Sequence, residues 1–267
     1  MNNIPNRVSN ELVGAWLEKL RAISAQAQNT HIDIIIDQAG LSQSFIPALK
    51  MLGDDIKWLS LFTGMPEEVF IEDSPLLIRF KWDNGMHVIY LTEILAHYYH
   101  SSRILVAVSL LPFDSLAKFL QALVEIKWEN RTGILRFYDP RIFPELIKHI
   151  LNENEARYFS QLAYMWNWID KDGEMRWLEG TFFIDVEKQT PPTLTLDINQ
   201  LTKIGCISDA VRLMFLSDFE NPHLTREENF DLLYTLTLQA YESDFIGNTD
   251  DYVLQHLPAF ATATPKQ

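Results

Sequence analysis

The chain has 267 residues, 47% of them hydrophobic and 22% charged, values ordinary for a folded globular protein and too apolar for global disorder. With 22 Lys+Arg against 36 Asp+Glu the formal net charge is -14, so no nucleic-acid partner is expected, because a phosphate backbone demands a basic footprint. The single cysteine, Cys206, excludes an intramolecular disulfide and any Cys-rich metal site.

Ser9 precedes ELVGAWLEKLRAISAQAQ, where Leu12, Leu17, Leu20 and Ile23 fall near helical spacing, and it is the natural N-cap. The isoleucine-rich HIDIIIDQA reads as a buried strand ending in polar residues. A helix over Ser44 to Leu52 leads to a short strand at WLSLF, and SPLLIRF is a strand entered through Pro75. MHVIYLTEILAHYYH is helical and feeds the strand ILVAVSLL, which is followed by the helix DSLAKFLQALVEI with Asp114 as N-cap. GILRFY is then a strand and RIFPELIKHIL a helix. Strands alternating with helices predict, for residues 1-150, an α/β lobe with a mostly parallel sheet flanked by helices.

After residue 151 the texture changes. MWNWIDKDGEMRWLE alternates aromatic and polar residues around Lys171-Asp172-Gly173, a hairpin signal with Asp-Gly at the turn. A connector with EKQTPPT follows, then the helical INQLTKIGCISDAVRLMFL and REENFDLLYTLTLQAY and a short segment from Thr249 to Leu257. Residues 151-258 are thus expected to form a C-terminal lobe of one hairpin and several helices, and 259-267, with ATATPKQ, a disordered tail. Charge is uneven: residues 1-150 hold 14 basic and 17 acidic side chains, residues 151-267 hold 8 and 19. The second part would repel anionic surfaces and favour basic or amphipathic protein partners.

The opening MNNIPNRVSN lacks the basic-then-apolar pattern of a secretory leader. The longest apolar run, Ile104 to Phe113, is far short of the ~20 residues that span a bilayer. A cytoplasmic protein with no membrane contact is the expectation.

Chemistry has few candidates. G-x-S-x-G, G-x-x-x-x-G-K-[ST] and G-x-G-x-x-G are all absent, and the scattered histidines build no triad. Cys206, between Gly205 and Ile207, reads as an inert core thiol. Glu93, His97 and His100 stand at i, i+4 and i+7 of one helix, a face a metal could use, but the H-E-x-x-H signature is missing; the balance favours no metal and no cofactor.

GILRFYDPRIF carries the most polar content in an apolar setting. Strand alternation sets Ile134, Arg136 and Tyr138 on one face, with Leu135 and Phe137 on the other. Asp139 then caps the next helix and Pro140 takes its first turn. Arg136 needs a partner, either an acid inside the lobe or a ligand in a groove, and Arg79 in LLIRF poses the same question. Arg79, Arg136, Tyr138, Asp139 and Arg141 are therefore the candidate partner-binding residues. A small hydrolase using Arg136, Tyr138 and Asp139 around an anion, or a metal-dependent module at Glu93, His97 and His100, is the competing reading.

The run LRFYDPR resembles the strand-to-helix motif of the type VI secretion effector chaperone or adaptor family, the VasW-like proteins long described as a domain of unknown function. Ile34-Ile35-Ile36-Asp37, the Ser74 to Leu77 strand, the apolar strand Ile104 to Leu111, the aromatic hairpin Trp166 to Trp177 and Gln200-Leu201 follow in the family's order, over roughly residues 30 to 257. Two departures are Glu242-Ser243-Asp244-Phe245 after Tyr241, where relatives have a glycine turn, and Val106-Ala107-Val108 in the middle strand. The resemblance implies a non-catalytic cytoplasmic adaptor that binds a cognate effector, often by its N-terminal region, and helps load it onto the VgrG spike.

Overall fold

The computed structural model describes residues 9-182, 189-243 and 245-258. Helix α1 (Asn10–Gln26) starts at Ser9, whose hydroxyl accepts the Leu12 N–H as expected. Then come β1 (His31–Asp37), α2 (Ile46–Met51), β2 (Lys57–Ser60), β3 (Pro75–Lys81), α3 (Gly85–Tyr98), β4 (Ile104–Val108) and α4 (Phe113–Val124). β5 (Glu125–Trp128), β6 (Arg131–Ile134) and the single helical turn α5 (Phe143–Glu145) follow, the last extended by a π-helical turn at Leu146–Ile150. α6 (Glu153–Ser160), β7 (Met165–Ile169), β8 (Met175–Glu179), β9 (Leu194–Thr195), α7 (Ile198–Leu213), α8 (Arg226–Glu242) and α9 (Thr249–His256) complete the order.

The expected mostly parallel sheet is not what these strands build. They form a six-stranded sheet in the order β2-β3-β1-β4-β7-β8, antiparallel at each neighbouring pair, and a three-stranded sheet β6-β5-β9 in which only β5 and β9 run parallel. The helical crossovers explain the error. β1 and β2, joined through α2, do point the same way, but β3 lies between them; β3 and β4, joined through α3, also point the same way, with β1 between them. A strand-helix-strand pattern reports relative direction, and the filled gaps make this the split βαβ connectivity of a ferredoxin-like plait, extended at the β4 edge by the β7–β8 hairpin.

Three local expectations change as well. Glu125 and Ile126, expected at the end of the preceding helix, instead open β5: Ile126 and Trp128 alternate with Glu125 and Lys127, and the strand pairs with β6 across the two-residue turn Glu129-Asn130. The strand GILRFY stops at Ile134. Pro112, not Asp114, holds the N-cap position of α4, and Asp114 sits in its first turn. The Asp-Gly hairpin is formed as expected, with Gly173 at φ +86 and Asp170 Oδ1 accepting the Asp172 and Glu174 N–H groups.

Both faces of the large sheet are buried. Ile32, Ile34 and Ile36 join Leu76, Ile78, Phe80, Ile104, Val106 and Val108 in one core with Trp16, Leu20, Leu91 and Leu95 from α1 and α3. Trp16 also donates its Nε1–H to the buried Asn167 Oδ1 at 2.6 Å, tying α1 to β7. The other face carries Asp33, Ile35, Asp37, Leu77, Arg79, Ala107 and Trp166, lateral neighbours in the pairing register. There Phe143 lies against Trp166 and Trp168, and Phe137 against Phe159.

Where the hairpin strand β8 leaves the sheet, Gly180 donates to the Tyr164 carbonyl, and a Cβ at this position would come within 1.8 Å of the Ala163 carbonyl oxygen. Gly180→Ala is therefore expected to cost about 2 kcal/mol in urea unfolding, since backbone rather than a flexible side chain must yield. An unchanged midpoint would show that the 160-163 turn moves freely.

Two compact units divide the chain, residues 1-196 and 197-267. The hairpin thus belongs to the sheet of the first unit. In the second, α7 and α8 each begin with a capping box, Asp197 with Gln200 and Thr225 with Glu228, and Arg212 of α7 holds Asp250 of α9 through two hydrogen bonds. Cys206 is buried in α7, and burial pushes its thiol up to about 11. No helix among the described residues is long and apolar enough to cross a membrane. The tail expected over 259-267, and Glu187 and Lys188 of the connector, lie outside the described residues.

Candidate functional site

The site begins with the two aspartates of HIDIIID. Strand alternation points Asp33 and Asp37 from one face of β1, four residues apart among isoleucines, and buried carboxylates there each require a cation. The register supplies the first, because Arg79 stands directly opposite Asp33 on β3. Its Nε and Nη2 donate to the two carboxylate oxygens at 2.7 and 2.8 Å, Nη2 also reaches the Leu111 carbonyl at 2.9 Å, and the guanidinium lies over the Phe113 ring. Asp33 is fully buried, and burial raises its carboxyl to about 6 although Arg79 pulls the other way. His31, on the same face, places Nε2 3.1 Å from the Ser109 carbonyl and 3.8 Å from Asp33 Oδ2; burial and then the Arg79 charge lower it to about 4.

The second cation comes from far along the chain. Arg136 Nη2 donates to Asp37 Oδ2 at 2.6 Å and lies 3.6 Å from Asp139 Oδ2. Asp139 in turn accepts the Arg141 N–H and Nε–H on Oδ1 and the Arg141 Nη2–H on Oδ2. Arg103 closes the other side of the β1 end, donating to the Asp37 and Ala39 carbonyls. Tyr138 is buried beside this set, and burial raises its hydroxyl well above the usual range.

GILRFYDPRIF is thus a polar joint. Asp139 does not cap a long helix as expected: α5 has three residues, and the carboxylate instead closes the turn 139-142, whose Ile142 and Phe143 N–H groups bond to the Asp139 carbonyl. Pro140 fits that turn because its missing N–H is not needed. Arg136, Tyr138, Asp139 and Arg141 are brought together, whereas Arg79 belongs to the separate Asp33 pair. Asp139→Ala is expected to cost about 2 kcal/mol, and Asp139→Asn, which keeps an acceptor for the Arg141 N–H, about 1 kcal/mol. Wild-type urea midpoints in both variants would show that the carboxylate holds nothing and is free for chemistry. Asp33 and Arg103 are the members not named from sequence, and Asp37 entered only as the end of the isoleucine-rich strand in the family resemblance; the signal for the two aspartates was two acids at even spacing in an otherwise apolar strand.

A second feature lies on α3. Tyr90, Ile94 and Tyr98, with Leu41, Phe45 and Ala48 from the segment before and within α2, line a groove of about 780 Å³. The Phe45 and Tyr98 rings lie 5.4 Å apart, and burial with Tyr98 and Glu93 nearby pushes Tyr90 up to about 12. Glu93, His97 and His100 all line this groove, but no group of three or more His, Cys, Asp and Glu among the described residues is placed to hold a metal ion.

Residues 34-157 match the family model Domain of unknown function (DUF4123). The DUF4123 match runs from the middle of β1 into α6, so it takes in Asp37, Arg79, the groove and the whole 136-141 turn. It ends before the aromatic hairpin and the C-terminal helices to which the resemblance extends. Neither the curated proteins nor the solved structures gave a match.

Proposed function

We propose that this chain is a non-catalytic, cytoplasmic adaptor that binds a type VI secretion effector and helps load it onto the VgrG spike. The DUF4123 match over residues 34-157 carries this reading, since that family is known among type VI effector adaptors, and the Arg-Phe-Tyr-Asp-Pro-Arg run lies inside the match. The polar joint supports it from the side of chemistry. The Asp37 carboxylate is held by Arg136 and the Asp139 carboxylate by Arg141, while Arg103 braces the Asp37 and Ala39 carbonyls, an arrangement suited to holding a loop in place. The aromatic groove on α3 is of the kind that captures peptide side chains.

Effector and spike would be held by surface contact, and a stable grip would bury upwards of ~1,200 Å² in total. Partner exchange, without nucleotide, would drive release. The test is co-expression with the products of neighbouring reading frames, tagged capture and size exclusion. A stoichiometric complex with a large toxin-like protein is the expected result. Binding to no neighbour and to no VgrG-type spike would overturn the proposal.

A further inference from the structure

Helix α3 turns outward a stripe of Met86, Ile89, Tyr90, Glu93 and His97, at steps of three or four residues along one face. Met86 and Ile89 are 59% and 54% exposed, an unusual state for two large apolar side chains less than one turn apart on one helix. The groove lies on the same helix and continues this stripe through Tyr90, Ile94 and Tyr98. From Met86 to His97 the stripe extends about 16 Å at the helical rise of 1.5 Å per residue, the length of three turns.

From this we infer that the α3 groove seats a three-turn amphipathic helix of the partner, its apolar anchors on Ile89, Tyr90 and Tyr98 and a lysine or arginine against Glu93. This inference rests on the adaptor reading and assigns that reading its contact. Charge selects the occupant: Glu93 is the carboxylate lining the groove, no lysine or arginine among the described residues lines it, and the whole chain carries -14. A second copy of this chain fits poorly, because a two-fold contact through the stripe would bring Glu93 toward Glu93. A small ligand would leave Met86 and Ile89 uncovered. An added strand needs a free backbone edge, whereas side chains of α3 and of the 41-48 segment form these walls.

The test uses the full chain co-expressed with its captured effector. A photo-crosslinking residue at Gln43, which lines the groove, is expected to join an effector segment with apolar residues at i, i+3 or i+4, and i+7 and a neighbouring Lys or Arg; the same residue at Lys118 on α4 is the control. Glu93→Lys is expected to weaken the complex about tenfold, and reversing the crosslinked basic residue to Glu is expected to restore it. Glu93 is exposed, so the folded chain tolerates the change. A complex that forms but crosslinks only from Lys118, or from Gln43 to a second copy of this chain, overturns the groove assignment and leaves the adaptor reading standing. If no complex forms with any neighbouring product, the adaptor reading falls and this inference falls with it.

Discussion

Arg79→Met is expected to destabilise the first unit by about 3–5 kcal/mol, because it leaves the buried Asp33 carboxylate without its cation. Both oxygens of Asp33 are held by this one guanidinium, and the Leu111 carbonyl loses its donor at the same time. The informative comparison is the double variant Asp33→Leu with Arg79→Met. Replacing both ends of a buried pair removes the desolvation cost together with the attraction, so its urea midpoint should return to within about 1 kcal/mol of wild type. A double variant as unstable as the single one would show that the pair is a strong net source of stability, contrary to this account. With the midpoint recovered as expected, the pair's service is to fix the register of β1 against β3, where Asp33 and Arg79 are direct partners.

His31→Gln is expected to change the pH dependence of unfolding by up to about 3 kcal/mol between pH 4 and 6. Asp33 has a folded value near 6, above its ordinary 3.8, so its contribution is present below 3.8 and is lost as pH rises through 6. His31 has a folded value near 4, below its ordinary 6.5, so its contribution is present above 6.5 and is lost as pH falls through 4. The two slopes oppose each other in the same window and largely cancel. Glutamine can still donate to the Ser109 carbonyl but does not titrate, so the variant should gain stability relative to wild type as pH falls from 6 to 4. Parallel profiles for variant and wild type would show that His31 is not held below its ordinary value in the folded chain.

How much was legible follows from the range over which each signal acts. Helix and strand order came through because periodicity is local: HIDIIID, SPLLIRF and ILVAV lie where alternation and apolar runs place them. The neighbour order did not, because an inserted antiparallel strand leaves no mark on the strands that flank it. β5 was hidden because EIKW continues the apolar period of α4 for another turn while also alternating as a strand. For Arg136 the need for a partner was visible, and an acid inside the lobe was one of two open answers. That the acid is Asp37, 99 residues away, is a property of the sheet's register and not of any window of sequence. The α3 groove was the least visible, since Glu93, His97 and His100 suggested a metal face while Phe45 and Ala48, which complete its walls, come from another element.

The place of β1 between β3 and β4 also bears on how the chain is made. Of the sheet's strands among the described residues, the first to be synthesised is a central one, and neither of its neighbours exists until Pro75–Lys81 and then Ile104–Val108 have followed. β4 in turn stays uncovered until β7 is added at Met165–Ile169. Nascent chains that end before β7 therefore expose a row of unpaired backbone groups beside an apolar strand, the condition that recruits holding chaperones during translation. Loop closure over these separations makes sheet assembly late and cooperative, so most of the chain must be present before any of the sheet is secure.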